Sequence, residues 1–302
     1  MMRSAICAVV CLTGSLLFFA ACSPAPEVSF GEPEVIASGY EFTEGPHWLD
    51  DGRLLFSDIP ANRVYQWDAS SSETSVFVDS SGRSNGIAEM PDGTLILAQH
   101  AGRVSRLMDS GDMVAVVTEY QGKRLNSPND VAIRSDSLIY FTDPPFGVSD
   151  AERELDVAGV YRVGGDGEAI QLYDAFRLPN GIAFSPDESY LYVNDTETGD
   201  IMRFEVTEEG DLENGIRFAS VGASDDTGAA DGMVTDDAGR LYTTGPGGIT
   251  VFNNEGDEVG RRTLDQRATN LAWGGENGTT LFITSPSEVL RVEVTTGNND
   301  ES

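Results

Sequence analysis

From about residue 33 to residue 295 the chain is a succession of short runs in which apolar and polar residues alternate. Clusters of Asp, Asn and Gly separate the runs. Alternation with period two puts successive side chains on opposite faces of a strand, so each run reads as a half-buried β-strand. Six segments repeat one pattern: EGPHWLDDGRLLFSD, NGIAEMPDGTLILAQ, NDVAIRSDSLIYFTD, NGIAFSPDESYLYVND, DGMVTDDAGRLYTTG and NLAWGGENGTTLFITS, starting at residues 44, 85, 129, 180, 231 and 270. Each opens on an acid or an amide, continues through a small apolar patch and a turn, and ends in a second alternating run. A third run generally follows, as in NRVYQWD, GVYRVG and DIMRFEV. No stretch of helical period lies between the strands.

A spacing of about 40 to 50 residues, with three or four short strands per unit, is the signature of a β-propeller. A single unit cannot bury both of its faces, so neighbouring units must cover them. Six units predict an all-β, six-bladed propeller over residues 33–295. The strand around Val35 and Ile36 is expected to join the last blade and close the ring. Residues 22–32 read as a tether and 296–302 as a frayed tail.

The first strand of a propeller blade lies nearest the central channel. That position predicts a ring at one mouth of the channel, made of Glu44, Asn85, Asn129, Asn180, Asp231 and Asn270. Turn chemistry alone would also admit Ser, Thr, Gly and Pro at these places. The ends of the second strands (Asp58, Gln99, Asp143, Asp195, Gly245 and Ser285) could form a further ring, with Asp143 facing the same cleft.

Charge narrows the partners. Fifty Asp and Glu against nineteen Lys and Arg leave a formal charge of −31, which excludes nucleic acid as a ligand because phosphate backbones need a basic footprint. Residues 1–21 carry Arg3, an apolar run and small residues before Cys22. That is an export signal, and FAAC resembles a lipoprotein cleavage box. The expected location is therefore periplasmic or outer-membrane-anchored, with membrane contact only through a lipidated Cys22. Cys7, Cys11 and Cys22 are the only cysteines, so the exported domain has neither disulfide nor thiol nucleophile.

Two acids and four amides converging on an axis make a hard-oxygen site suited to Ca²⁺ or Mg²⁺. The chain contains no GxSxG elbow and no HExxH, and no glycine-rich phosphate loop leads into a helix. Of the two histidines, His47 lies in EGPH; His100 follows a second-strand end on the channel side and is a candidate substrate-facing residue. Arg124, ahead of LNSPND, could pair with a substrate carboxylate or hydroxyl. The stretch SDAERELD, within residues 148–157, is a candidate lid, and its acidity would disfavour anionic substrates.

EGPHW, GKRLNSPNDV, YFTDPPFG, LPNGIAFSPDESYLYV and DGMVTDDAGRLY together resemble the senescence marker protein/gluconolactonase/regucalcin family, in particular its bacterial gluconolactonase-like branch. The likeness runs over residues 33–294. It implies a six-bladed propeller holding Ca²⁺, or another divalent cation (Mg²⁺, Mn²⁺ or Zn²⁺), on Glu44, Asn129, Asn180 and Asp231. It further implies hydrolysis of a sugar lactone; because propellers often act as monomers, a monomer is expected. Asp231 would be the general base, and Asn85, His100, Arg124, Asp143 and Asn270 would contact substrate. Broader ester, lactone or organophosphate hydrolysis is one alternative to that reading. A non-enzymatic surface propeller binding a sugar or protein is the other.

Overall fold

The structure, a computed structural model, describes residues 28–297. The export signal, the three cysteines and the last five residues of the tail lie outside the described residues. Within them there is no helix. Six antiparallel sheets follow one another along the chain. In the first, Thr43–Trp48, Arg53–Asp58, Arg63–Asp68 and Glu73–Asp79 pair in chain order. The next four sheets repeat this meander from the inner strands Ser84–Glu89, Val131–Ile133, Pro179–Phe184 and Met233–Thr235. The sixth contributes Asn270–Gly274, Thr280–Thr284 and Glu288–Thr296. The six inner strands touch their neighbours in a closed cycle, from the sixth back to the first. This is the expected six-bladed propeller.

Closure uses more of the N-terminus than the sequence suggests. Glu34–Ser38 pairs antiparallel with Glu288–Thr296, as expected of the Val35 region. Val28–Phe30, inside the stretch read as a tether, pairs further along the same strand, with Val28 opposite Thr296 and Phe30 opposite Val294. The two segments form one outer strand broken at Gly31–Pro33. Three residues flanked by Pro and Gly are too short for a period to register in the sequence. Even so, Val28 is buried against Tyr242, Ile249 and Val294.

The core is divided. Six hydrophobic clusters occupy the six interfaces between neighbouring blades. Leu55 and Val64 of the first blade meet Ile87 and Leu97 of the second, and Leu54, Phe56 and Trp67 meet Phe282 and Val289 of the sixth. A strand that feeds both interfaces is apolar on both faces, which explains the continuous runs LLF, LILA and LFI.

Candidate active site at the mouth of the channel

Local strand geometry aims the ring residues. In blades one, two and four the pairing of the inner strand slips at the ring residue: between Glu44 and His47, Ser84 and Ile87, and Pro179 and Ile182. A bulge re-aims a side chain and bends its strand. The glycine after the ring residue makes this possible. A Cβ on Gly45 would stand 2.0 Å from the Asn85 carbonyl oxygen, and one on Gly181 would stand 2.1 Å from that of Asp231. The ring backbones are thus packed edge to edge. Second-strand side chains tie them: Ser57 Oγ donates to the Asn85 carbonyl (2.8 Å), Thr142 Oγ1 to that of Asn180 (2.7 Å) and Asn194 Nδ2 to that of Asp231 (2.6 Å).

All six ring residues are between 2% and 5% exposed. Glu44 hydrogen-bonds Asn270 and the Gly45 amide, and lies against Asp231. Asn180 gives one amide hydrogen to Thr196 Oγ1 at 2.9 Å and also reaches Asp231. Burial first, then the charges of Asp231 and Asp130, hold the Glu44 carboxyl well above the ordinary carboxylate range. Asp231 is likewise pushed up by burial, with the Arg267 guanidinium pulling the other way. Two buried carboxyls in contact favour sharing a proton or a cation over both standing ionised. Asn85 touches His100 (Nδ2 to Nε2, 3.4 Å), and its own Oδ1 has no partner.

Beside the ring, and joined to it through the Asn85–His100 contact, is a cleft of about 540 Å³ lined by His100, Arg83, Arg124, Gly147 and residues 151–154. His100 and Arg124, singled out in the sequence, therefore come together, and the predicted lid borders them. The imidazole of His100 is depressed to about 4, by burial first and by the Arg83 charge second, so it is neutral at physiological pH. His47 belongs elsewhere: with Trp48 and Trp273 it lines a cavity of about 310 Å³ along the inner strands, and its Nε2 lies 3.2 Å from Glu89.

One expectation is corrected. Asp143 is wholly buried and does not face the cleft. Its Oδ2 accepts from the Asn126 amide at 2.8 Å, and Asn126 Nδ2 donates back to the Asp143 carbonyl at 3.0 Å. Asp58 and Asp195 do the same work in their blades, accepting from Phe42 N and from Arg177 N. The acids at second-strand ends pin the loop that enters their own inner strand. They do not form a second ring around the channel.

Three functional candidates escaped the sequence reading. Asp130 accepts from Val131 N and, across the blade boundary, from Ile182 N, and it also hydrogen-bonds Asn270. Thr196 anchors Asn180 and donates to the Ala230 carbonyl at 2.8 Å. Arg267 Nη2 lies 3.0 Å from Asp231 Oδ2. A signal for Arg267 existed. GRSNG, KRLNSPND, FRLPNG and DQRATN each place an Arg two to five residues before the ring residue.

Comparisons with known proteins place the chain in a family. A sequence profile described as SMP-30/Gluconolactonase/LRE-like region matches residues 42–287. The gluconolactonase of Zymomonas mobilis is 34% identical over 294 residues, covering 87% of this chain and 81% of that one. A pentonolactonase of Haloferax volcanii is 28% identical over 83% of this chain and 84% of its own. Among solved structures, a gluconolactonase from Xanthomonas campestris superposes with a TM-score of 0.77 at 31% identity, covering 87% of this chain and 89% of that chain.

Proposed function

The chain belongs to the SMP-30/gluconolactonase/LRE-like family, and from that premise we propose that it hydrolyses a sugar lactone to the free acid with a divalent cation in the ring. The observation that carries the proposal is the meeting of two buried carboxyls, Glu44 and Asp231, inside a collar of amides, one of which, Asn85, touches the His100 that lines a polar cleft.

The donor set fits such a cation. Among the described residues no three His, Cys, Asp or Glu side chains group as metal ligands, so amide oxygens must complete the site. Asn180 commits its amide nitrogen to Thr196 and Asp231, which leaves its oxygen for the cation. Glu44, Asn129, Asn180 and Asp231 would hold it. Bound there, the cation would polarise the lactone carbonyl and offset the charge that develops on its oxygen.

The protein's own residues supply the rest. Arg267 holds Asp231 Oδ2, so Oδ1 is the oxygen with capacity to take a proton from the attacking water. As the ring C–O bond breaks, the same carboxyl returns that proton to the departing oxygen, and water is added across the ester with atoms in balance. Asn85 and Asn270, held on the two blades that flank the first, and neutral His100 offer hydrogen bonds to sugar hydroxyls. Arg124 borders the same cleft.

Asp231→Asn tests the assignment. We expect its kcat to fall by about 10²–10⁴, the span that general acid–base catalysis contributes, with the propeller's melting transition retained. Chelation of the wild type should abolish turnover, and added Ca²⁺ or Mg²⁺ should restore it. Full activity in Asp231→Asn would remove the base. Activity indifferent to chelation would remove the cation.

A further inference from the structure

The cleft beside the ring has a charge opposite to that of the molecule. We infer that it is built to hold an anionic substituent of the substrate, so the preferred lactone is an acidic one carrying a phosphate, sulfonate or carboxylate group; this deepens the lactonase reading and rests on it.

The argument starts from how the arginines are spent. In a chain with a formal charge of −31 a guanidinium finds a carboxylate easily. Arg53, Arg134, Arg162, Arg240 and Arg267 each do, with Asp51, Asp136, Asp211, Asp236 and Asp231. Arg83, Arg124 and Arg153 all line the mouth cleft, and none of them forms an ion pair with a carboxylate of the described residues. Their hydrogen bonds go to main-chain carbonyls. Arg124 Nη1 donates to the carbonyls of Leu125 (2.9 Å) and Asn126 (3.1 Å), Arg153 Nε to that of Leu155 (2.7 Å), and Arg83 Nη1 makes a long contact of 3.5 Å with that of Gly147. These bonds orient the three guanidinium groups and leave most of their N–H groups uncommitted. Such oriented, planar forks suit phosphate, sulfonate and carboxylate.

The walls are shaped around them. The Arg124 guanidinium packs onto Gly102, where a Cβ would stand 2.5 Å from its central carbon. Two carboxylates, Glu152 and Glu154, also line the cleft. Glu154 is taken by the Arg124 main-chain amide at 2.7 Å, and Glu152 by Ser149 Oγ at 2.6 Å. Buried Asp143 feels the charges of Arg124 and Arg153, but neither guanidinium pairs with it. The remaining acids of the SDAERELD stretch turn outward: Asp150 is exposed, and Asp156 is exposed and contacts Lys123. Half of the acidity that made the lid look hostile to anions therefore lies on its outer side, and the two carboxylates inside, Glu152 and Glu154, already accept hydrogen bonds from the protein, while Arg153 lines the same wall. His100 borders the cleft and touches the ring residue Asn85, so an anion held by the arginines sits one side chain away from the reacting centre. Three guanidinium groups against two carboxylates that already have hydrogen-bond donors leave the cleft net positive, and such a cleft concentrates an anion locally even on an acidic protein.

The test compares a neutral glucono-lactone with the same lactone carrying a 6-phosphate. We expect kcat/KM to favour the phosphorylated lactone by about tenfold or more in the wild type, as a charge-assisted hydrogen bond implies. Arg83→Gln and Arg153→Gln should each lower that preference by about tenfold through KM, with Arg153→Lys recovering part of it. Equal or better use of the neutral lactone by the wild type would overturn the inference, as would a preference that survives both substitutions. If no lactone is hydrolysed, the lactonase reading fails, and a separate readout decides the site. Calorimetric titration with inorganic sulfate should show saturable binding that Arg83→Gln and Arg153→Gln abolish. No binding would overturn the site. Sulfate that binds without competing against the phosphorylated lactone would overturn its assignment to substrate.

Discussion

Asn180 has two amide hydrogens and one oxygen. Thr196 Oγ1 takes a hydrogen at 2.9 Å, which fixes the nitrogen end of the amide and leaves the oxygen free to serve as a ligand. Partners that orient a ligand matter nearly as much as the ligand: their loss typically costs 10–100-fold in metal affinity. Thr196→Val keeps the shape and removes the hydroxyl. It should weaken Ca²⁺ binding by about that factor in a calorimetric titration and leave the fold intact. Unchanged affinity would mean that Thr196 does not orient Asn180 toward a cation. Asp143 poses the opposite problem, a carboxyl with no solvent and an Oδ1 with no partner. Burial pushes it up to about 7, against the pull of the Asn126 and Ser127 amides and of Arg124 and Arg153. The folded chain thus binds this proton more tightly than the unfolded chain does. The associated stability is present below the ordinary carboxylate range and is lost as pH rises from about 4 through about 7. Asp143→Asn removes the titration and keeps an oxygen for the Asn126 amide. Its melting temperature relative to wild type should rise across that window, and a pH-independent difference would refute the cause assigned here.

At the scale of the element, the inner strands joined to a Gly-bearing bulge are the device that makes the ring. A glycine follows the ring residue in four of the six units, after Glu44, Asn85, Asn180 and Asp231, so these steps could be read directly from the sequence. What surrounds them could not. Asp130 sits beside a ring residue, and only the path of the inner strand decides which of the two neighbours points inward. The arginines of the entry loops stand at offsets of two to five residues, so no fixed register reveals them. Asp143 alternates correctly for a cleft-facing strand end, and only the folded loop over it shows that it is covered. Val28–Phe30 is the shortest omission and the easiest to test. A chain beginning at Glu32 loses the burial of Val28 and Phe30. That loss should cost about 2–4 kcal/mol in urea denaturation, from the transfer energy of two apolar side chains. If these residues were only a tether, the change would stay within about 0.5 kcal/mol.

Across the whole molecule, six apolar wedges between blades replace a single core, and every wedge needs both of its neighbours. The period in the sequence was sufficient to count the blades because each unit had to present two apolar faces. The proposed metal-ligand set rests on a family likeness laid over that period, and the charge of the cleft became visible only when residues from three parts of the chain met. The molecule as a whole is an acidic propeller, proposed to open lactones at its ring with water. The most direct measurement is proton release from aldonolactones in a pH-stat, using purified protein with Ca²⁺ present. The account predicts one proton per lactone opened, at a rate well above spontaneous hydrolysis and largely lost in Asp231→Asn. Release at the spontaneous rate across a panel of five- and six-membered sugar lactones would contradict it.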